Sequence, residues 1–184
     1  MLLITSIIGG VLVFFIVAIL VLAAMKPDTF RVQRTASIKA PPERIFPLIN
    51  DFQRWGAWSP FEKKDPGMKR TMSGVPSGKG AVYEWDGNKE IGQGRMEIVE
   101  AVPPSRVTLT LDFTRPFKAH NIVDFTLEPR GNSTQVTWAI HGPSPFISKV
   151  MGIVFNVDKM IGKDFEAGLA ALKTVSEQQS ADRG

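Results

Sequence analysis

The chain carries few side chains of the kind that do acid–base chemistry, so the position of each one matters. It has two histidines, one tyrosine and no cysteine. Proton transfer needs a titratable group within hydrogen-bond reach of the substrate. His120 and His141 alternate with apolar strand residues, which predicts solvated side chains pointing away from the apolar face. No thiolate is available, and no histidine or acidic residues have zinc-ligand spacing. We therefore identify no catalytic residue and expect no metal or other cofactor.

Two polar residues share the parity of the apolar strand face. Tyr83 could donate a hydrogen bond to a ligand carbonyl, or its hydroxyl could meet a backbone carbonyl in an ordinary core. Asn121 could contact a ligand or lie at the rim of the strand. The four tryptophans could likewise line a pocket or pack in a core, since a lined cavity and a filled core give the same sequence pattern.

The candidate ligand contacts share the apolar parity of the strands or belong to apolar stretches packed against them. They are Trp58, Tyr83, Trp85, Met96, Phe113, Asn121, Phe125, Trp138, Phe165 and Leu169.

An antiparallel sheet is needed to bring these residues together. From Lys69 to Gly142, apolar and polar residues alternate, with turn signals every 8 to 12 residues. Tyr83 and Trp85 alternate with Glu84 and Asp86, for example, so one face is buried and the other meets water. A further strand over Phe30 to Lys39 shows a weaker form of the same alternation.

Helical patterns flank the predicted strands. Pro41 and Pro42 open a short helix that ends near Asn50, and a short helical elbow follows over Phe52 to Phe61. From Pro145 to about Glu177, the apolar residues recur at helical spacing, which predicts one long helix of roughly 45 Å against the sheet. Residues 178–184 lack apolar anchors and are predicted to form a flexible tail.

An uncharged apolar run opens the chain. No charged residue occurs from Leu2 to Met25, and a helix of this length measures roughly 36 Å, which predicts a retained single-pass transmembrane anchor over 2–25 and a short linker over 26–29. A cleaved signal peptide is the alternative, but no Lys or Arg precedes the run. The basic residues Lys26, Arg31, Arg34 and Lys39 follow it, which favours a cytoplasmic soluble domain over an extracytoplasmic one.

The composition restricts the remaining classes. The chain has 184 residues, a net charge of +4 and 43% hydrophobic residues, which suits one folded domain. Basic residues near Lys63 and Arg70 are interleaved with acidic ones, so no nucleic-acid partner is predicted. The glycine-rich loop from Gly74 to Gly80 leads into a strand and lacks nucleotide-loop spacing. A lid near a cavity mouth is one hypothesis for this loop.

Five short stretches in order resemble the polyketide cyclase/dehydrase-type branch of the START-like (SRPBCC) superfamily. They are Trp55-Gly56-Ala57-Trp58-Ser59-Pro60-Phe61, the Gly78 to Gly80 turn into Tyr83-Glu84-Trp85, Gly92-Gln93-Gly94, Thr134-Gln135-Val136-Thr137-Trp138, and Phe165 to Lys173. The resemblance covers residues 30–177. It implies an α+β helix-grip fold, in which a curved antiparallel sheet wraps a long C-terminal helix around an apolar cavity, but it implies no shared catalytic set.

Three functions remain open at this stage. The first is a membrane-anchored protein that binds an apolar small molecule or lipid between the sheet and the C-terminal helix. The second is a cyclase or dehydratase-like enzyme, which a perturbed inward-facing Tyr, His or Glu would favour. The third is a non-catalytic accessory subunit with a membrane-protein partner, which a filled core and an exposed apolar patch would favour.

Overall fold

The computed structural model describes residues 2–181, apart from the side chains of residues 2–8, 154 and 179–181. The elements in chain order are α1 (Leu2–Ala24), β1 (Thr29–Ile38), α2 (Pro42–Ile49), a 3₁₀ helix (Phe52–Ala57), α3 (Pro60–Lys64), β2 (Lys69–Gly74), β3 (Ala81–Asp86), β4 (Gln93–Val102), β5 (Arg106–Arg115), β6 (Ala119–Arg130), β7 (Ser133–Pro143), α4 (Phe146–Val154) and α5 (Val157–Ala181).

The strands form one seven-stranded antiparallel sheet in the order β1-β7-β6-β5-β4-β3-β2. Strands β2 to β6 each pair with the next strand in the chain, and β1 closes the order by pairing with β7. A register shift between Ile98 and Glu100 interrupts the β4–β5 ladder. Such irregularities increase local twist and bend a strand, which helps a sheet curve around a helix.

The predicted alternation of faces is confirmed. The apolar positions of β6 and β7, including Phe125 and Trp138, are buried, while the intervening residues other than Ala139 are partly or wholly exposed. Ile45 and Ile49 of α2 and Leu169 and Leu172 of α5 join the same core. The sheet therefore holds its apolar face against α2, the 3₁₀ helix and α5.

Ion pairs fix α5 against the edge strand β1. The guanidinium of Arg34 donates from Nε to Glu166 at 2.7 Å and from Nη2 to Asp158 at 2.9 Å. Gly162 lies between these two acidic residues, and its missing side chain leaves room for the guanidinium to cross α5. Arg34, one of the basic residues that follow the apolar run, therefore holds α5 against β1.

The single long C-terminal helix predicted from Pro145 onward is also wrong, because the chain breaks into α4 and α5. Phe155 has an extended backbone, and the Asn156 side chain accepts a hydrogen bond from the Lys159 amide at 2.9 Å. This arrangement satisfies a free amide in the first turn of α5, as an N-capping residue does. Phe146 and Val157, predicted to share one buried stripe, are exposed at 49% and 37%.

Helix α1 corresponds to the predicted anchor. Its large apolar side chains from Val11 to Leu22 are almost all exposed, whereas Ala23 is buried where the helix meets the domain. Within the residues that the structure describes, no helix combines the length and the apolar character needed to cross a membrane. The sequence prediction of a transmembrane helix over Leu2–Met25 is therefore not supported here.

The other end of the chain departs from the predicted tail. Helix α5 continues through residues 178–181, and Glu177 accepts a hydrogen bond from the Lys39 amide at 2.7 Å. Residues 182–184 of the predicted tail lie outside the described residues.

Candidate ligand-binding site

An aromatic cluster fills the space between the sheet and α5. The rings of Trp138 on β7 and Phe165 on α5 stack with centroids 4.1 Å apart and planes 9° apart. Phe125 on β6 and Trp58 at the end of the 3₁₀ helix contact Trp138 at centroid distances of 5.0 and 5.5 Å. All four residues are at most 3% exposed. We call these four residues the aromatic cluster.

The local sequence explains how the cluster is assembled. Phe125 and Trp138 are direct cross-strand partners on the inner face, so the sheet register places them side by side. Ser59-Pro60 starts a new helix immediately after Trp58, which turns the chain back under the sheet. Gly168, one turn after Phe165, lets α5 approach closely, because a Cβ there would lie 2.6 Å from Cζ3 of Trp138.

Trp138 differs from the other tryptophans in its hydrogen bonding. The others donate to main-chain carbonyls: Trp55 to Ile49 at 2.9 Å, Trp58 to Leu48 at 2.8 Å and Trp85 to Ile91 at 3.1 Å. Among the described residues, the buried Nε1 of Trp138 has no hydrogen-bond partner. Buried polar groups without a partner are rare and costly in folded proteins. The aromatic cluster therefore offers one donor to an incoming acceptor.

A hydrogen-bonded group of three polar side chains, from α3, β2 and β3, lies beside the aromatic cluster. The Tyr83 hydroxyl donates to Oε1 of Glu62 at 2.5 Å, and Arg70 Nε donates to Oε2 of the same carboxylate at 2.7 Å. The side chain of Glu62 is only 12% exposed. Burial raises the pKa of Tyr83 above its ordinary value of 10.0, and the neighbouring Glu62 carboxylate raises it further. Tyr83 is thus a neutral hydrogen-bond donor whose proton is already committed to Glu62.

Sequence reasoning missed this polar group. Tyr83 was expected to meet either a ligand carbonyl or a backbone carbonyl, and its partner is a carboxylate instead. Glu62 and Arg70 belong to the segment of interleaved charges around Lys63, a pattern that is typical of a solvated face. They are eight residues apart with a turn between α3 and β2, so no helical or strand spacing relates them. Only the strand alternation, which places Tyr83 on the inner face of the sheet, indicated a polar contact at this position.

The remaining candidates lie on the inner face as their parity predicts. Trp85 packs edge-to-face against Phe113 at 5.5 Å and stacks on Tyr83, whereas Met96 and Phe113 are partly buried. Asn121 is 5% exposed and Leu169 is 2% exposed. Trp58, Phe125, Trp138, Phe165 and Leu169 meet around α5, while Tyr83, Trp85, Met96 and Phe113 lie toward β3 and β4.

Both histidines lie on the outer face of the sheet. His120 Nδ1 lies 2.6 Å from Asp112, and His141 Nε2 lies 3.1 Å from Asp124. These contacts place both rings away from the aromatic cluster, as the strand parity predicts.

Two cavities open on the surface. One, of about 220 Å³, is lined by Phe52, Gln53, the loop after Met72, and Ala81 and Val82. Its loop is held by Gly78, whose amide donates to the Asn50 carbonyl at 2.9 Å. The other, of about 410 Å³, is lined by Pro27, Thr29 to Arg31, His141 and Gly142. Neither of these two cavities lies at the aromatic cluster, whose four side chains are buried and in mutual contact.

The architecture defines an α+β helix-grip domain, in which an antiparallel sheet packs its apolar face on a C-terminal helix. Residues 29–177 match the family described as polyketide cyclase / dehydrase and lipid transport, and the chain belongs to that family. No curated protein matches the sequence.

Solved structures share this fold. The protein CV1439 of Chromobacterium violaceum is 18% identical with a TM-score of 0.57, over 83% of this chain and 99% of that one. The di-domain ARO/CYC protein BexL of the BE-7585A biosynthetic pathway is 15% identical with a TM-score of 0.60, over 85% of this chain and 52% of BexL. DynU16, a putative protein of the dynemicin biosynthetic locus, is 18% identical with a TM-score of 0.56, over 83% and 48%. At these identities the likeness concerns the fold.

Proposed function

We propose that this protein binds a hydrophobic small molecule or lipid between the sheet and α5. The observation that carries the proposal is the indole N–H of Trp138, which is buried without a partner inside the aromatic cluster. A ligand with an apolar body and one acceptor oxygen satisfies this donor and packs against Phe125 and Phe165. The family description, which includes lipid transport, supports the same ligand class.

Ligand entry requires the cluster to open, because the rings are in mutual contact. The stack between Trp138 and Phe165 joins the sheet to α5, so its separation creates space directly beside the free donor. A ligand that binds the open arrangement shifts the population toward it in proportion to its differential affinity.

Attachment to a membrane through α1 is the second element of the proposal. It is supported by the exposed apolar side chains between Val11 and Leu22, which have no contact in the domain that removes them from solvent. Exposed apolar surface of this extent is typical of interaction with lipid or another protein. Attachment keeps the domain beside the phase into which apolar ligands partition, and we propose a cytoplasmic position for it from the basic residues that follow α1.

A non-catalytic accessory role is the second candidate function. It is favoured by the closely packed aromatic cluster together with the exposed apolar residues of α1 and α4. In that case the domain docks a membrane partner and its interior stays closed.

The enzyme alternative has one observation in its favour, which is the raised pKa of Tyr83. A raised pKa makes the phenol a weaker acid, and the short hydrogen bond to Glu62 occupies its proton. This geometry fits a structural role for Tyr83 in the core better than a role in proton transfer to a substrate.

Quenching of tryptophan fluorescence by 9,10-dibromostearate tests the binding proposal. All four tryptophans lie in the domain, at Trp55, Trp58, Trp85 and Trp138, and none lies in α1. The full chain in phospholipid nanodiscs should therefore be quenched by this probe only when its acyl chain reaches the domain interior. Saturable quenching is the expected result, and unchanged fluorescence would favour the accessory role.

The matched variants are Trp138→Phe and Trp55→Phe. The first removes the free donor, and loss of one hydrogen bond of about 1 kcal/mol should weaken probe binding roughly fivefold. The second removes an indole that is already bonded to the Ile49 carbonyl, so the probe affinity should stay close to that of the parent protein. Equal affinity of both variants would contradict the assigned role of Trp138.

A further inference from the structure

Several large apolar side chains are exposed at one end of the domain. Helix α4, the link to α5 and the first turn of α5 contribute Phe146, Ile147, Met151, Phe155 and Met160, whose exposed fractions run from 47% to 68%. Phe117, in the turn between β5 and β6, is 80% exposed. We call these six residues the apolar end face.

The sheet register places Phe117 at the same end as α4. β1 begins opposite the end of β7, where Thr29 pairs with Pro143, and α4 follows directly. β6 begins opposite the end of β5, where Phe113 pairs with Ala119. Because these strands are antiparallel, the β5–β6 turn and the entry to α4 lie at the same edge of the sheet. The two parts of the apolar end face therefore share one end of the molecule.

Helix α4 is fixed so that its apolar side chains point outward. Lys149 is only 7% exposed, and its Nζ binds Asp28 at 2.6 Å in the segment before β1. The Lys26 ammonium donates to the Gly152 carbonyl at 2.7 Å. Ile147 and Met151 are four residues apart and therefore lie on one side of the helix, where they are exposed.

The apolar end face is continuous with the exposed part of α1. Helix α1 packs against α4, and Lys26 just after α1 binds the α4 backbone. The sequence has no acidic residue between Glu128 and Asp158, and exposed Lys118 and Lys159 flank Phe117 and Met160. The acidic residues Asp28 and Asp158 at this end are paired with Lys149 and Arg34. Exposed Phe, Ile and Met beside lysine is the composition of a surface that rests in the interface of an anionic bilayer.

We propose that the apolar end face lies in the headgroup region of an anionic phospholipid bilayer. This proposal rests on the membrane attachment of α1 proposed above. Contact of the apolar end face with the bilayer fixes the orientation of the domain that follows α1. The α4 side chains then enter the interface to a depth of about 5–10 Å, as amphipathic helices do. The opposite end of the sheet, which carries the loop after Gly74 and the β6–β7 turn, points away from the membrane.

Site-specific labelling tests the orientation, because the chain has no cysteine of its own. Single variants Ile147→Cys and Met160→Cys carry an environment-sensitive NBD label, and the full chain is placed in nanodiscs of phosphatidylcholine and phosphatidylglycerol. Val75→Cys is the matched control, because Val75 is also apolar and exposed, at 45%, but lies in the loop at the other end. Blue-shifted emission and quenching by lipids spin-labelled near the headgroup are expected for the first two labels and not for the third.

Each contrary outcome has a distinct meaning. Labels at residues 147 and 160 that remain as water-exposed as the label at 75 would overturn the proposal. A label at Val13→Cys, quenched by the same lipids, would show in that case that α1 is attached although the end face is not. Protection in native membranes but not in the nanodiscs would also overturn it, and would assign the face to a protein partner. Dibromostearate quenching is read separately, so failure of ligand binding does not affect this result.

Discussion

The stacked rings of Trp138 and Phe165 lie nearly parallel, with centroids 4.1 Å apart, and join β7 to α5 across the centre of the domain. Aromatic pairs of this kind add about 0.5–1.5 kcal/mol beyond the burial of their surface. The same pair lies next to the one indole N–H that has no partner among the described residues. Under the proposed function, a ligand replaces the contact that closes the interior.

The two most buried tryptophans should respond differently to loss of the indole. Trp58→Phe leaves the buried Leu48 carbonyl without its donor, whereas Trp138→Phe removes a donor that had no partner. Because an unsatisfied buried group costs about 1–3 kcal/mol, Trp58→Phe should be the more destabilising change by that amount. Guanidinium denaturation of the full chain in detergent measures both. Equal losses would show that the Trp138 indole is satisfied in solution.

The close approach of α5 to the sheet predicts a strict requirement at Gly168. A Cβ there would lie 2.6 Å from the Trp138 ring and 2.9 Å from Cδ of Pro60. Gly168→Ala should cost about 1–3 kcal/mol through overpacking. Gly56→Ala is the control, because its Cβ would meet open space. A stable Gly168→Ala protein would mean that α5 can move outward at little cost.

The ionisation of Tyr83 can be followed directly, because it is the only tyrosine. Burial and the Glu62 carboxylate raise its pKa, so absorbance at 295 nm should show no tyrosinate near the ordinary value of 10.0 while the protein is folded. The raised pKa stabilises the fold below pH 10, and this contribution is lost as the pH rises toward the folded-state pKa. Glu62→Gln should lower the pKa of Tyr83. Formation of tyrosinate near pH 10 in the folded parent protein would contradict the buried Tyr83–Glu62 pair.

The contacts of Arg34 predict an acid-sensitive start of α5. Arg34 lowers the pKa of Asp158 through a hydrogen bond and through its charge. The stabilisation is therefore present above the ordinary value of 3.8 and is lost as the pH falls through the lowered pKa. Arg34→Met should increase hydrogen exchange in residues 157–166 at neutral pH, whereas Arg31→Met, which removes a bond to Gln33, should not. Equal exchange in both variants would contradict the role of Arg34.

The strand pattern could be predicted because its physical cause is local. Alternation along β3, β6 and β7 identifies the inner face one residue at a time, and the buried positions of Tyr83, Phe125 and Trp138 follow from it. The family match over residues 29–177 agrees with the resemblance inferred from short motifs. Parity alone does not show how tightly the inner side chains meet, so the filled aromatic cluster could not be predicted.

The break between α4 and α5 and the contact of Glu62 with Tyr83 were not predicted from the sequence, for different reasons. The apolar spacing continues from Val150 through Ile161, so periodicity alone joins α4 to α5, although Asn156 carries a capping signal. Glu62 meets Tyr83 only because α3 folds over β3, a contact between elements that are distant in the chain. Such contacts depend on the assembled fold and leave no spacing in the sequence.

Because of the break between α4 and α5, the two helices are held in place by different contacts. α4 is tied to the segment before β1 by Lys149, and α5 is tied to β1 itself by Arg34. Because Phe155 between them has an extended backbone, α4 and α5 do not form one rigid helix. A displacement of α5 that exposes the interior therefore need not move α4. Under the two proposals, ligand could then enter or leave while α4 keeps its place at the bilayer.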